Sequence, residues 1–273
     1  VNSDLTPVDY FQDAGFWAKR DDLAYWSGVD MPSGSKVRQY QHMATRYPGA
    51  PMLVGCSAHS AMQIYVAAAA KAAGVKGIVY TAKRAVPTDA TGYAKRMGAQ
   101  VNLVPNGYLN VVQAAAKKRA ERLGQYVRWD EDWAVNDAAH AMINLPREAR
   151  RIVIPVGSGL VASGVLAGMV AQQMQTPVLL VTVSPMANAA GIKKLAQHTL
   201  HMAGHGKLPL PKVRLVQSKT KYTDWVADTL PDGTPLDPYY AAKAMPYVKR
   251  GDCLWLPGLR PVSSMPVKCQ QII

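Results

Sequence analysis

At 273 residues the chain is long enough for one large domain or two modest ones, each with a sizeable core. It holds no apolar run of the roughly 18 residues that a membrane-spanning helix needs, and its three cysteines, Cys56, Cys253 and Cys269, suit neither a disulfide framework nor a metal site. The formal net charge of +13 is unevenly spread, with 18 Lys and Arg against 13 Asp and Glu over residues 1–150, and 13 against 5 over residues 151–273.

In chain order, the polar and acidic stretch from Val1 to Asp13 is unlike a secretory signal, so a reducing cytoplasm is expected. The apolar spacing of Val37, Tyr40, Met43 and Ala44 predicts a helix opening at Lys36. Pro51–Gly55 reads as a short buried strand, and Ser57–Ala73 as an Ala-rich helix closed by Gly74. Strand Lys76–Tyr80, a helix around Ala90–Met97 and strand Gln100–Val104 follow. Next come helix Leu109–Leu123, with Lys117, Lys118, Arg119 and Arg122 on its wet side, and strand Gln125–Trp129. A helix from Val135 to about Leu145 leads to strand Ile152–Val156, helix Leu160–Gln173 and strands Val178–Val183 and Val213–Gln217. Helix Tyr239–Lys249 and strand Cys253–Leu256 end the pattern, and Ala187–Lys212 is its least regular part. Strands parted by helices of this length imply an α/β fold of parallel sheets covered on both faces. Ligands of such sheets bind at the carboxyl ends of the strands, where Gly55 and Gly157 stand.

Two motifs carry chemistry. Lys36 lies among small residues in Ser33-Gly34-Ser35-Lys36-Val37-Arg38. An amine held partly out of water is freed to condense with a carbonyl. The run Ile152-Val153-Ile154-Pro155-Val156 ends in Gly157-Ser158-Gly159 at a helix start, where backbone N–H groups can cradle a phosphate. An amine for an aldehyde and a cradle for a phosphate together describe a pyridoxal-phosphate site. Taken singly, Lys36 would read as a surface lysine after a turn. His198, His201 and His205 lack a matched carboxylate or cysteine, so they read as added surface charge and no metal is expected.

Four blocks in fixed order extend this. They are Lys19-Arg20-Asp21-Asp22-Leu23 with the Lys36 segment, Gly55-Cys56-Ser57-Ala58-His59-Ser60, Val156-Gly157-Ser158-Gly159 through Gly164, and Leu236-Asp237-Pro238-Tyr239-Tyr240-Ala241-Ala242-Lys243-Ala244-Met245. In these the chain resembles the fold-type-II pyridoxal-phosphate enzymes, above all the aminocyclopropane-carboxylate deaminase and D-cysteine desulfhydrase group. The resemblance implies a two-lobed parallel-sheet fold, with a larger cofactor lobe (residues 1–43 and 147–273), a smaller lobe (44–146), and a homodimer. It implies pyridoxal 5′-phosphate bound to Lys36 as a Schiff base, with Gly157, Ser158, Gly159 and Leu160 at the phosphate and the Ala58 position at the ring. Ser57, His59 and Ser60 then face the substrate, Ser57 as a carboxylate binder or proton relay, and Tyr240 stands where the deaminases place a catalytic tyrosine. Ser57 capping a helix, His59 filling a turn and Tyr240 packing with a bonded hydroxyl are the ordinary alternatives. Two positions depart from the family: Ala58 replaces an asparagine that contacts the ring hydroxyl, and Ala241 replaces the acid or threonine facing the pyridine nitrogen.

The function expected is a lyase that breaks a bond at Cα of an amino-acid group, by deamination, elimination or decarboxylation. Between Ser184 and Thr223 seven cations (Lys193, Lys194, Lys207, Lys212, Arg214, Lys219, Lys221) occur without one acid. That field suits a polyanion-borne substrate, such as an amino-acid-modified base in viral DNA. The alternatives are a deaminase or desulfhydrase of a free small amino acid, and a cofactor-binding protein without turnover.

Overall fold

The computed structural model describes residues 5–24, 31–105, 108–123, 127–128, 144–184, 187–206 and 208–261. Their elements, in order, are β1 (Val8–Phe11), β2 (Phe16–Lys19), α1 (Ser35–Arg46), β3 (Met52–Cys56), α2 (Met62–Ala72), β4 (Gly77–Ala82), α3 (Asp89–Arg96), β5 (Gln100–Val104), α4 (Leu109–Leu123) and β6 (Val127–Arg128). They continue with β7 (Arg151–Val156), α5 (Leu160–Ala171), β8 (Val178–Thr182), α6 (Ala189–Met202), β9 (Val213–Gln217), α7 (Ala241–Ala244) and β10 (Asp252–Trp255). The chain forms two compact units, one made of Tyr25–Asp130 with Arg260–Ile273, the other of Asn2–Ala24 with Glu131–Leu259.

The first unit is built on a four-stranded sheet, β5-β4-β3-β6, parallel throughout. Side chains of β3 alternate between two cores, as a strand buried on both faces requires. Met52, Val54 and Cys56 pack with Val37, Tyr40 and Met43 of α1 and Tyr65, Val66 and Ala69 of α2, whereas Leu53 meets Ala116 and Ala120 of α4. Because α1 buries its apolar stripe in this core, the first unit begins before Lys36, not at residue 44 as expected from the sequence.

The second unit holds a six-stranded sheet in the order β1-β2-β10-β7-β8-β9, parallel except for the β1–β2 pair. On one face Ile152, Ile154, Val156, Leu180 and Trp255 pack against Val165, Leu166 and Met169 of α5 and Ile192 and Ala196 of α6. On the other, Val153, Leu179, Val181 and Leu254 meet Leu236, Ala241 and Ala242. The antiparallel β1–β2 hairpin was not expected. Its buried anchor is Lys19, whose Nζ donates to the Thr6 carbonyl and, at 2.7 Å, to Asn144 Oδ1.

Three expectations need correction. Helix α2 starts at Met62, not Ser57, because Gln63 Nε2 (2.7 Å) and Thr88 Oγ1 (2.6 Å) donate to the Ala58 carbonyl, which thereby serves loop contacts and not a helical turn. The segment Tyr239–Lys249 is helical only over Ala241–Ala244, with a 3₁₀ turn at Met245–Tyr247, since Pro246 has no N–H to continue the ladder. Conversely, the irregular stretch Ala187–Lys212 contains the 14-residue helix α6, capped by Asn188 Oδ1, which accepts from Gly191 N at 2.7 Å. Most of the helix expected over Val135–Leu145 lies outside the described residues, as does strand Gln125–Trp129 apart from β6.

Candidate functional site

In the first unit, Lys36 is the second residue of α1 and is half-buried. Its Nζ lies 5.6 Å from the ring centroid of Tyr65, whose hydroxyl donates to the Ser33 carbonyl at 2.9 Å. The amine is thus held over an aromatic face next to the turn that starts its own helix. The preceding residue, Ser35, is fully buried, and among the described residues its Oγ has no hydrogen-bond partner. The neighbouring Cys56 thiol is pushed up to about 12 by burial, which outweighs the pull of the Ser60 contact and of the Lys36 charge. Cys56 is therefore protonated at neutral pH and no nucleophile.

The loop Ser57–Ser60 follows β3 at the carboxyl edge of its sheet. Ser57 and His59 are exposed, Ser60 is half-buried and accepts from Met62 N at 3.2 Å, and Ala58 is buried. A buried network fixes the loop. Gln63 Nε2 also donates to the Ser57 carbonyl (3.2 Å), Thr91 Oγ1 donates to Gln63 Oε1 (3.0 Å), and Thr88 Oγ1 caps α3 by accepting from Thr91 N (3.3 Å). The His59 imidazole is pulled below its ordinary value, first by partial loss of hydration and then by Arg84; Asp89 opposes and Arg260 reinforces the shift.

In the second unit, Gly157-Ser158-Gly159 links β7 to α5 at the carboxyl edge of the six-stranded sheet. A Cβ at Gly157 would stand 2.8 Å from Tyr240 Cε1 and 3.1 Å from its hydroxyl, so the tyrosine ring lies directly on the loop. Gly159 has φ +94°, and a Cβ there would meet Ile192 Cγ1 at 2.6 Å. Only glycine satisfies both demands at 159. Ser163 seals the start of α5 by donating to the carbonyls of Gly159 (2.9 Å) and Ile192 (3.1 Å). The first N–H groups of α5, from Leu160 on, have no partner within the helix.

Tyr240 is held by its own block. Asp237 Oδ1 accepts from the Tyr239 and Tyr240 amides at 3.0 and 3.1 Å, and the Tyr240 hydroxyl lies 3.2 Å from that of Tyr222. Buried Lys243 donates to the Tyr222 carbonyl at 3.0 Å and to that of Lys221, which fixes the segment carrying Tyr222. Tyr222, Gln63 and Thr88 were not found from the sequence; Tyr222 and Thr88 act through contacts 18 and 30 residues away, and Gln63 through side-chain bonds to carbonyls 5 and 6 residues back that no periodicity marks. Ala241 is buried at the start of α7. Among the described residues no group of three His, Cys, Asp or Glu could hold a metal ion, and no helix is long and apolar enough to cross a membrane.

No protein-family model and no curated protein matches the sequence. Solved structures do match the fold. An ACC deaminase homologue superposes with a TM-score of 0.73 at 17% identity, covering 93% of this chain and 89% of that one. The processed form of threonine deaminase isoform 2 from Solanum lycopersicum gives 0.60 at 14%, over 98% and 81%. Diaminopropionate ammonia lyase from Escherichia coli, in complex with an aminoacrylate-PLP azomethine reaction intermediate, gives 0.64 at 11%, over 99% and 87%. The chain has the fold of the fold-type-II pyridoxal-phosphate enzymes. On that fold, the loop after β7 and the segments carrying Lys36 and Ser57–Ser60 sit at carboxyl ends of strands or helix starts, where α/β sheets take ligands.

Proposed function

We propose that this chain is a pyridoxal 5′-phosphate-dependent lyase acting at Cα of an amino-acid group. One observation carries the reading: neither glycine of the loop Gly157-Ser158-Gly159 has room for a side chain, Tyr240 backs the first of them, and the loop opens a 12-residue helix. A phosphate needs several converging N–H donors, and the N–H groups left without a helical partner at the start of this helix would supply them. The fold's solved relatives, which include a deaminase and ammonia lyase by name, agree with it.

When bound, the cofactor supplies an electron sink for the bond that breaks at Cα. Lys36 Nζ would hold the aldehyde carbon and would be the base that takes and returns a proton at Cα. The backbone N–H groups of Gly157, Ser158, Gly159 and Leu160 would hold the phosphate. Ser57 Oγ and the His59 and Ser60 side chains bind the substrate carboxylate, on a loop that Gln63 and Thr88 keep in one conformation. Tyr240 Oη, bonded to Tyr222 Oη, holds or passes a proton at the leaving group. Ala58 would offer the ring hydroxyl no donor, and Ala241 would offer the pyridine nitrogen no acid.

The test is release of ammonia and a keto acid from a panel of free amino acids by protein supplied with pyridoxal phosphate. Tyr240→Phe should lower kcat by about 10²-fold with cofactor uptake intact. Lys36→Ala should abolish turnover, and equal turnover by Lys36→Ala and wild type would refute the reading.

A second reading concerns the substrate. Lys194, Lys212, Arg214, Lys219 and Lys221 are exposed on the second unit, and together they favour an amino-acid group borne on a polyanion such as a modified base in DNA. Replacing the five with glutamine should weaken DNA binding and flatten its salt dependence. Efficient turnover of a free amino acid without DNA binding at low salt would discard this extension and keep the lyase.

A further inference from the structure

In the first unit, the loops that leave β3 and β4 start side by side at the carboxyl edge of the sheet. Cys56 pairs with Thr81 at the end of their parallel register, so His59 and Arg84 each stand three residues past the last pair. Thr88 Oγ1 ties the two loops together by donating to the Ala58 carbonyl at 2.6 Å. Both side chains are exposed, as is that of Lys83. Of the charges acting on the His59 imidazole Arg84 is the strongest; Asp89, the first residue of α3, opposes it and Arg260 adds to it. Among the described residues Arg84 has no ion pair and no side-chain hydrogen bond. Like charges on loops fixed against each other repel, and an anion bound there turns that repulsion into attraction. A guanidinium also has the forked shape that a carboxylate or phosphate takes.

We propose that Arg84 sets the substrate class: its guanidinium binds a second anionic group, a carboxylate or phosphate on the substrate's side chain, while the Ser57–Ser60 loop holds the α-carboxylate. The inference rests on the lyase reading and deepens it, since the substrate becomes an acidic amino acid. Arg84, Ser57 and His59 are all open to solvent and belong to one unit. The network of Gln63, Thr88 and Thr91 that fixes the Ser57–Ser60 loop also restrains Arg84, because Thr88 closes the loop that Arg84 stands on. The span between the two anion positions is thereby held before substrate arrives, which favours one side-chain length over others.

His59 reports on the site without any turnover. At constant ionic strength, succinate or inorganic phosphate should raise its NMR midpoint by about half a pH unit above the value in chloride, because an anion at Arg84 cancels the charge that lowers it. In Arg84→Gln the three salts should act alike. The anion with the larger effect names the group, carboxylate or phosphate. In protein supplied with pyridoxal phosphate, kcat/KM for aspartate, glutamate or phosphoserine should exceed that for asparagine, glutamine or serine by about tenfold. Arg84→Gln should erase this preference, chiefly through KM, and Arg84→Lys should keep part of it. Equal His59 midpoints in succinate, phosphate and chloride would make Arg84 a solvated surface charge and overturn the proposal. A preference for acidic substrates that survives in Arg84→Gln, or no such preference in wild type, would overturn it as well. Turnover of no amino acid at all would sink the lyase reading and the substrate assignment with it, while the His59 titration would still decide whether Arg84 holds an anion.

Discussion

A side chain at position 159 has nowhere to go. The φ of +94° strains any L-residue, and the Ile192 side chain stands 2.6 Å from where a Cβ would lie. Gly159→Val should therefore cost about 2 kcal/mol or more of stability, measured by denaturant unfolding, and abolish pyridoxal phosphate uptake. The glycines of this loop were legible in the sequence because they follow an apolar strand and open a helix. The partners that make them indispensable, Ile192 and Tyr240, come from 33 and 83 residues further on and left no local trace. His59 gives a second residue-scale prediction. Loss of hydration and the Arg84 charge lower its pKa, so an NMR titration should find its midpoint below 6.5, and Arg84→Gln should bring it back up. The unfolded chain then takes the proton first, and His59 makes the fold lose stability as pH falls through about 6.5; Arg84→Gln should lessen that loss.

The elements show where pattern suffices and where it fails. Strands β5 and β9 and helix α4 fall where apolar spacing puts them, since their periodicity is uninterrupted. The first turns expected of α2 are a loop instead, because the Ala58 carbonyl is drawn off by Gln63 and by Thr88, a residue 30 positions away. No single-sequence pattern carries that information. The consequence is measurable. Thr88→Asp keeps an acceptor for the α3 cap but loses the donor to Ala58, so it should raise hydrogen exchange over Ser57–Ser60 about tenfold while α3 stays protected. Thr88→Ser, which keeps both functions, should leave exchange at the wild-type level. Helix α6 was missed for the opposite reason: cations and histidines crowd its exposed side, yet Asn188 caps it and Ile192, Ala196 and Leu200 recur every four residues toward the core.

For the whole molecule, the alternation of strands and helices was enough to give parallel sheets covered on both faces, and the two sheets bear this out. The division into units was harder to read, since α1 belongs by its packing to the unit that follows it in sequence. Charge speaks to partners and not to fold, so the net +13 bears only on the substrate reading. The central claim, that this fold carries pyridoxal phosphate on Lys36, has a direct test. Incubation with pyridoxal 5′-phosphate, reduction with borohydride, digestion and mass spectrometry will identify the modified lysine. The account predicts visible absorbance before reduction and a single cofactor-labelled peptide containing Lys36. A colourless protein, or label spread over surface lysines with Lys36 unmodified, would contradict it.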